Sequence, residues 1–148
     1  MRKLLLAAIL LATLVSSGQS PARFDGTWKT TVTCEPAGKT LGYTLHFVSN
    51  VAASILHGER GAQGQPGYLA IDGKINKDGN AKLTATGNTA SSAYTHGPIK
   101  TEGEEYSYEV KAQFTETEGK GERSIGLGIV GRPCHWLFEK QPAEAPKQ

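Results

Sequence analysis

The stretch "YSYEVKAQF", residues 106 to 114, alternates strictly: Tyr106, Tyr108, Val110, Ala112 and Phe114 fall on one face, and Ser107, Glu109, Lys111 and Gln113 on the other. A period of two marks a strand with one buried and one solvated face. The same period runs through Leu69, Ile71, Gly73 and Ile75, and again through Ala81, Leu83 and Ala85. Between those runs lies "NKDGN", residues 76 to 80, whose Asp78-Gly79 step accepts the positive φ of a tight hairpin turn. Tyr43, Leu45, Phe47 and Val51 share a face, and the pattern resumes at Ile55. The intervening Ala52-Ala53-Ser54 is weak turn chemistry, so the register across residues 50 to 58 stays open. Near the end of the chain Ile125, Leu127 and Ile129 are in one phase and Cys134, Trp136 and Phe138 in the other, with a bulge or break at Gly131 and Pro133. No window shows a helical period, and 17 of the 18 glycines follow residue 20, which opposes long helices.

Strands are expected near 24 to 34, 42 to 51, 54 to 60, 67 to 76, 80 to 89, 104 to 115, 121 to 130 and 132 to 140. Strands this closely spaced, each with one apolar face, either stack as a β-sandwich or close on themselves. Sequential hairpins favour closure, giving an all-β, up-and-down antiparallel barrel of about eight strands whose first and last strands meet. Residues 21 to 140 make one such domain, and "QPAEAPKQ", residues 141 to 148, reads as a disordered tail.

The chain opens with Met1-Arg2-Lys3, an apolar run from Leu4 to Val15, and the small polar residues Ser16 to Ser20. Residues 1 to 20 read as a secretory signal peptide. The apolar run is 12 residues, short of the roughly 20 that span hydrocarbon, so no stable membrane insertion is expected after cleavage. The expected location is periplasmic or secreted. Removing Arg2 and Lys3 leaves 14 basic residues against 14 acidic ones, without a Lys/Arg cluster, so a nucleic-acid partner is not expected. Cys34 closes the first strand in the phase of Trp28 and Val32, and Cys134 has the phase of Trp136 and Phe138 in the last. In an oxidising compartment a disulfide between them would fasten the seam. Two buried free thiols are the alternative, and a metal site would need further ligands.

Gly26-Thr27-Trp28 at the start of the first strand resembles the Gly-x-Trp signature of the calycin group, the avidin-like and lipocalin-like barrels. The resemblance implies an eight-strand meander in which Trp28 plugs one end of the barrel and an arginine, Arg132 or Arg123, packs over it. The length resembles avidin more than the lipocalins, but avidin-type biotin pockets are walled by several tryptophans and this chain has two. The wider pattern, including "GQPGYLAIDGKI" and "GRPC", is also similar to small secreted proteins of Gram-negative bacteria.

"GLGIVG", residues 126 to 131, matches Gly-x-Gly-x-x-Gly, but Pro133 and the strand-like "CHWLF" leave no room for the helix that dinucleotide binding requires. "HGERGAQGQPG" reads as a loop at the barrel mouth. His46, His57, His96 and His135 show no metal-ligand spacing, and no nucleophile elbow occurs. No catalytic residue, metal or cofactor is therefore expected. The residues left to carry function are aromatic: Tyr43, Phe47, Tyr106, Tyr108 and Trp136 form the candidate ligand-binding set. An eight-strand barrel either fills with side chains or holds one small ligand. The expectation is a secreted, non-catalytic barrel binding a small apolar or amphipathic ligand. The alternative is an envelope protein-protein interaction or inhibitor module with a filled core.

Overall fold

Every period-two stretch among the described residues forms a strand, and the strands close into a barrel rather than a sandwich. The computed structural model describes residues 22–95, 102–124 and 131–143. In order the strands are β1 (Gly26–Cys34), β2 (Tyr43–Ala52), β3 (Ile55–Arg60), β4 (Leu69–Ile75), β5 (Asn80–Asn88), β6 (Glu105–Phe114), β7 (Glu118–Arg123) and β8 (Cys134–Lys140). Each pairs antiparallel with the next, and β8 returns to pair with β1. The expected signal peptide, His96, the apolar positions 125 to 129 with most of "GLGIVG", and the tail from residue 144 lie outside the described residues.

The β1–β8 seam runs in register from Trp28↔Lys140 to Cys34↔Cys134, and the two cysteines are joined by a disulfide. The bridge spans a sequence separation of 100. In the chain-entropy model, closing a loop of that size restricts the unfolded state enough to contribute about 4.7 kcal/mol.

The two barrel ends differ. At the disulfide end lie the connections after β1, β3, β5 and β7, including a 3-10 turn at Ser92–Tyr94. The opposite end has tight hairpins and is sealed by aromatics. Phe24, just before β1, turns under the barrel, and its carbonyl accepts a hydrogen bond from Trp28 Nε1 at 3.0 Å. Phe114 meets Trp28 edge-on at 5.6 Å and lies 5.0 Å from Phe138. Trp28 thus sits inside one barrel end, but Arg132 is not its cover. Lys140 holds its Nζ 5.7 Å over the Trp28 ring, because Lys140 is the β8 residue in register with Trp28. Six residues of strand, about 20 Å at strand rise, separate Lys140 from Cys134, and Arg132 lies two residues beyond Cys134 at the other end. Arg123 is not the cover either, since it lies over the Tyr108 ring.

β7 begins at Glu118, ahead of the expected 121. Residues 115 to 118 form the hairpin turn into β7, in which Thr115 Oγ1 accepts from Glu118 N at 3.0 Å and Thr115 N donates to Glu118 O at 2.7 Å. The inward positions that follow are Gly119 and Gly121, whose missing side chains make room for their neighbours. A Cβ on Gly119 would stand 2.4 Å from the Phe114 ring.

The weak turn between β2 and β3 is completed by a distant residue. Ala53 and Ser54 adopt left-handed backbone, φ 50° and 65°, a strained choice for side chains with a Cβ. Asp25 accepts hydrogen bonds from Ala53 N and Ser54 N, each at 3.0 Å, and from Ala22 N at 3.2 Å. These bonds, Ser54 first, hold the Asp25 carboxyl below its ordinary value of 3.8. The register fixed by this clasp pairs Ala52 with Ile55 and Ser49 with Gly58.

A depressed carboxylate stabilises the fold above its unfolded pKa, and that contribution is lost as pH falls through the lower folded value. Asp25→Ala is expected to destabilise the protein at neutral pH by about 1 kcal/mol after solvent screening. Urea melts at neutral pH and below pH 3.8 should show the wild-type advantage shrinking in acid. The double change Ala53→Asn and Ser54→Gly supplies the residues a type I′ turn favours, and should restore most of the loss.

Candidate functional site

Inside the barrel the packing changes along the axis. Toward the sealed end Trp28, Leu56, Ile75, Leu83, Val110, Phe114 and Phe138 are buried. Toward the disulfide end Tyr43, Leu45, Phe47, Tyr106 and Tyr108 point inward and stay only partly buried. The space they leave is a half-open cavity of about 540 Å³ lined by Tyr43, Leu45, Leu69, Tyr106 and Tyr108 together with three arginines, Arg60, Arg123 and Arg132. The barrel is filled at one end and hollow at the other.

Small residues opposite large ones shape the tyrosine wall. Tyr106 pairs across the sheet with Gly87, where a Cβ would lie 2.5 Å from the phenol oxygen, so the ring occupies the space a side chain would need. Tyr108 faces Ala85 in the same pairing, and the two tyrosine rings stack at 6.1 Å with 10° between their planes. Burial pushes both phenols far above their usual value, and the neighbouring Tyr43 adds to the rise while Arg123 opposes it. Both therefore remain neutral hydroxyls, able to donate, throughout the physiological range.

The arginines are held in different ways. Arg132, 4 % exposed, donates to the carbonyls of Leu41 and Tyr94 and lies 4.5 Å above the Tyr43 ring. Arg60 donates from Nη1 to Gly67 O at 3.3 Å. Arg123 sits 4.5 Å over the Tyr108 ring, beside the backbone of Gly131. A cation on an aromatic face is stabilised without an anion, which lets guanidinium groups stand partly desolvated here.

Of the expected ligand residues, Tyr43, Tyr106 and Tyr108 meet in this cavity. Phe47 and Trp136 lie beneath its lining, edge-on to one another at 6.3 Å and 89°, with Trp136 stacked on Phe138 at 6.2 Å. The Trp136 indole N–H is a buried donor that meets no acceptor in hydrogen-bonding geometry among the described residues; its ring lies 6.5 Å from that of Tyr108, and its N–H opposes the rise in the Tyr108 pKa that burial causes. Arg60, Arg123, Leu45 and Leu69 were not among the expected ligand-binding residues. The available signal was phase, since Arg60 follows Leu56 and Gly58 on the inward face and Arg123 follows Gly119 and Gly121.

The described histidines are elsewhere. His46 Nδ1 meets Thr31 Oγ1 at 2.9 Å, and His57 Nδ1 meets Asp72 Oδ1 at 2.6 Å, both on the outer surface. The hydrogen bond to Asp72 raises the His57 pKa. Among the described residues no group of three His, Cys, Asp or Glu could hold a metal. A wider depression of about 830 Å³ crosses the outer face of β1 and β6 to β8, lined by polar and charged groups such as Lys111, Lys120 and His135.

These features define a closed, eight-stranded antiparallel barrel with an aromatic and cationic mouth, compatible with a calycin-like architecture. No family model, curated protein or solved structure matches the chain.

A phenol whose folded pKa is raised contributes stability that is complete below its unfolded value of 10.0 and is lost as pH climbs toward the folded value. Wild-type stability should therefore fall steeply above pH 10.0, and the double variant Tyr106→Phe, Tyr108→Phe should lose much of that slope. Denaturant melts between neutrality and pH 11 provide the comparison, and equal slopes would contradict the buried, neutral assignment.

Proposed function

We propose that this protein is a non-catalytic binding barrel of an oxidising, extracytoplasmic compartment, periplasmic or secreted, and that it takes a small amphipathic ligand into the mouth cavity. The observation that carries this reading is the row of inward aromatic and aliphatic side chains left partly bare around a hollow of about 540 Å³, in a barrel whose other end is closely packed. A protein interior normally closes such gaps, whereas ligand sites keep apolar walls with a few placed polar groups. Among the described residues the cavity lining has no carboxylate, histidine or free thiol to form an acid–base pair or a nucleophile, and its one cysteine, Cys134, is disulfide-bonded.

The Cys34–Cys134 disulfide supports the compartment, as does the leader-like start of the sequence. No helix among the described residues is long and apolar enough to cross a membrane. The protein-interaction alternative has less support, because the exposed large hydrophobics Leu41, Val48, Ile55 and Tyr94 are distributed between both barrel ends and the outer wall.

Native mass spectrometry of protein taken from its own compartment should show a non-covalent adduct that is absent after denaturation. Leu45→Trp, which places a larger ring in the hollow, should abolish the adduct while the protein keeps its melting temperature within a few degrees. An empty wild-type protein that also fails to take up a neutral pyrene probe would overturn the proposal.

A further inference from the structure

The cavity has an electrostatic asymmetry that an uncharged ligand would not use. Three of the five arginines in the chain line it, and none of the 13 acidic residues among the described residues does. The six ion pairs formed by described residues all use other cations: Arg23, Lys29, Lys82, Lys120, His57 and His135. Glu35, Glu102, Glu104 and Glu105 sit near the mouth, but they are exposed and do not line the cavity. The segments 96 to 101 and 125 to 130, outside the described residues, contain no Asp or Glu in their sequence.

Gathering like charges at a partly dehydrated site is unfavourable unless an anion shares it. The three guanidinium groups are not equally committed. Two N–H groups of Arg132 serve backbone carbonyls, and one of Arg60 does. Arg123 has its face on Tyr108, while its N–H edges meet no acceptor among the described residues. A planar guanidinium supported on one face by a ring, with its fork of donors unspent, is matched to a bidentate oxyanion.

We infer that the ligand of the mouth cavity is an organic carboxylate, an apolar body bearing one carboxyl group, with Arg123 as the group that receives the carboxylate and Arg60 and Arg132 supplying the surrounding positive field. This inference rests on the binding reading given above and names the chemical class of its ligand. Tyr43, Tyr106, Leu45 and Leu69 form the surface for the apolar body. Tyr106 and Tyr108, held neutral, add hydroxyl donors that do not repel the anion. Cation-bearing amphiphiles should be rejected, because they would enter beside three like charges with no counterion in the wall.

The test uses two probes of nearly equal shape, 4-(1-pyrenyl)butanoate and its primary amide, titrated by fluorescence into the disulfide-intact protein. The carboxylate should bind wild type about tenfold or more tighter than the amide, as expected for a charge-assisted bidentate contact. Arg123→Gln should bring the two affinities together, mainly by weakening the carboxylate, with amide affinity kept within about twofold. Arg123→Lys should keep part of the preference, which separates loss of charge from loss of fold. Equal affinities in wild type would overturn the anion inference and leave the binding barrel standing. Uptake of neither probe would overturn both. A full carboxylate preference surviving in Arg123→Gln would overturn the role given to Arg123.

Discussion

The pairing of β1 with β8 is the contact on which the other features depend. Until that seam forms, the curled sheet has two free edges and its inward face has nothing opposite to pack against. Register across the seam brings Trp28 and Lys140 together at one end and Cys34 and Cys134 at the other. At the sealed end the seam is held by aromatic packing of Phe24, Trp28, Phe114 and Phe138. At the mouth, where side chains are sparse, a covalent bond does the corresponding work. Between the two, a buried hydrogen bond of 2.6 Å joins Thr30 on β1 to Ser49 on β2, in space that Gly58 leaves open. A hydroxyl pair of this kind satisfies itself and tolerates burial.

The disulfide and the cavity are linked by this arrangement. A hollow end forgoes the dispersion and hydrophobic contacts that the sealed end enjoys, and it also carries three guanidinium groups. Such an end needs stabilisation from outside its own packing. The cross-link supplies it at the rim, and Arg132 adds to it by tying the carbonyls of Leu41 and Tyr94, from two different connections, to the start of β8. Arg132 is thus a structural clasp as well as a source of charge. Arg123, resting on Tyr108, has no comparable tie among the described residues.

Much of the architecture was legible in the sequence because alternation is a local signal. Tyr106 to Phe114 needs no tertiary context to declare a strand, and Asp78-Gly79 declares its own turn, with Gly79 at φ 86°. The disulfide followed from two cysteines sharing the inward phase of the terminal strands. What escaped depends on long-range contacts or on missing side chains. The turn at Ala53 and Ser54 takes its hydrogen bonds from Asp25, far back in sequence, so its own residues carry no turn signature. β7 hides its inward face behind Gly119 and Gly121, which are invisible to a hydrophobic pattern. The tyrosines of the cavity were readable as inward, but their incomplete burial was not, since phase gives direction and says nothing of what lies across the barrel. Arg60 and Arg123 escaped because a charge at a strand end ordinarily signals solvent.

The division of one barrel into a packed end and a hollow end proposed to bind ligand is most directly tested by intermolecular NOEs between 4-(1-pyrenyl)butanoate and the labelled protein. Pyrene contacts are expected on Tyr43, Leu45, Leu69, Tyr106 and Tyr108, with none to Phe24, Trp28, Phe114 or Phe138. Contacts to those four aromatics, or to the outer face around Thr31, Lys111 and His135, would contradict it.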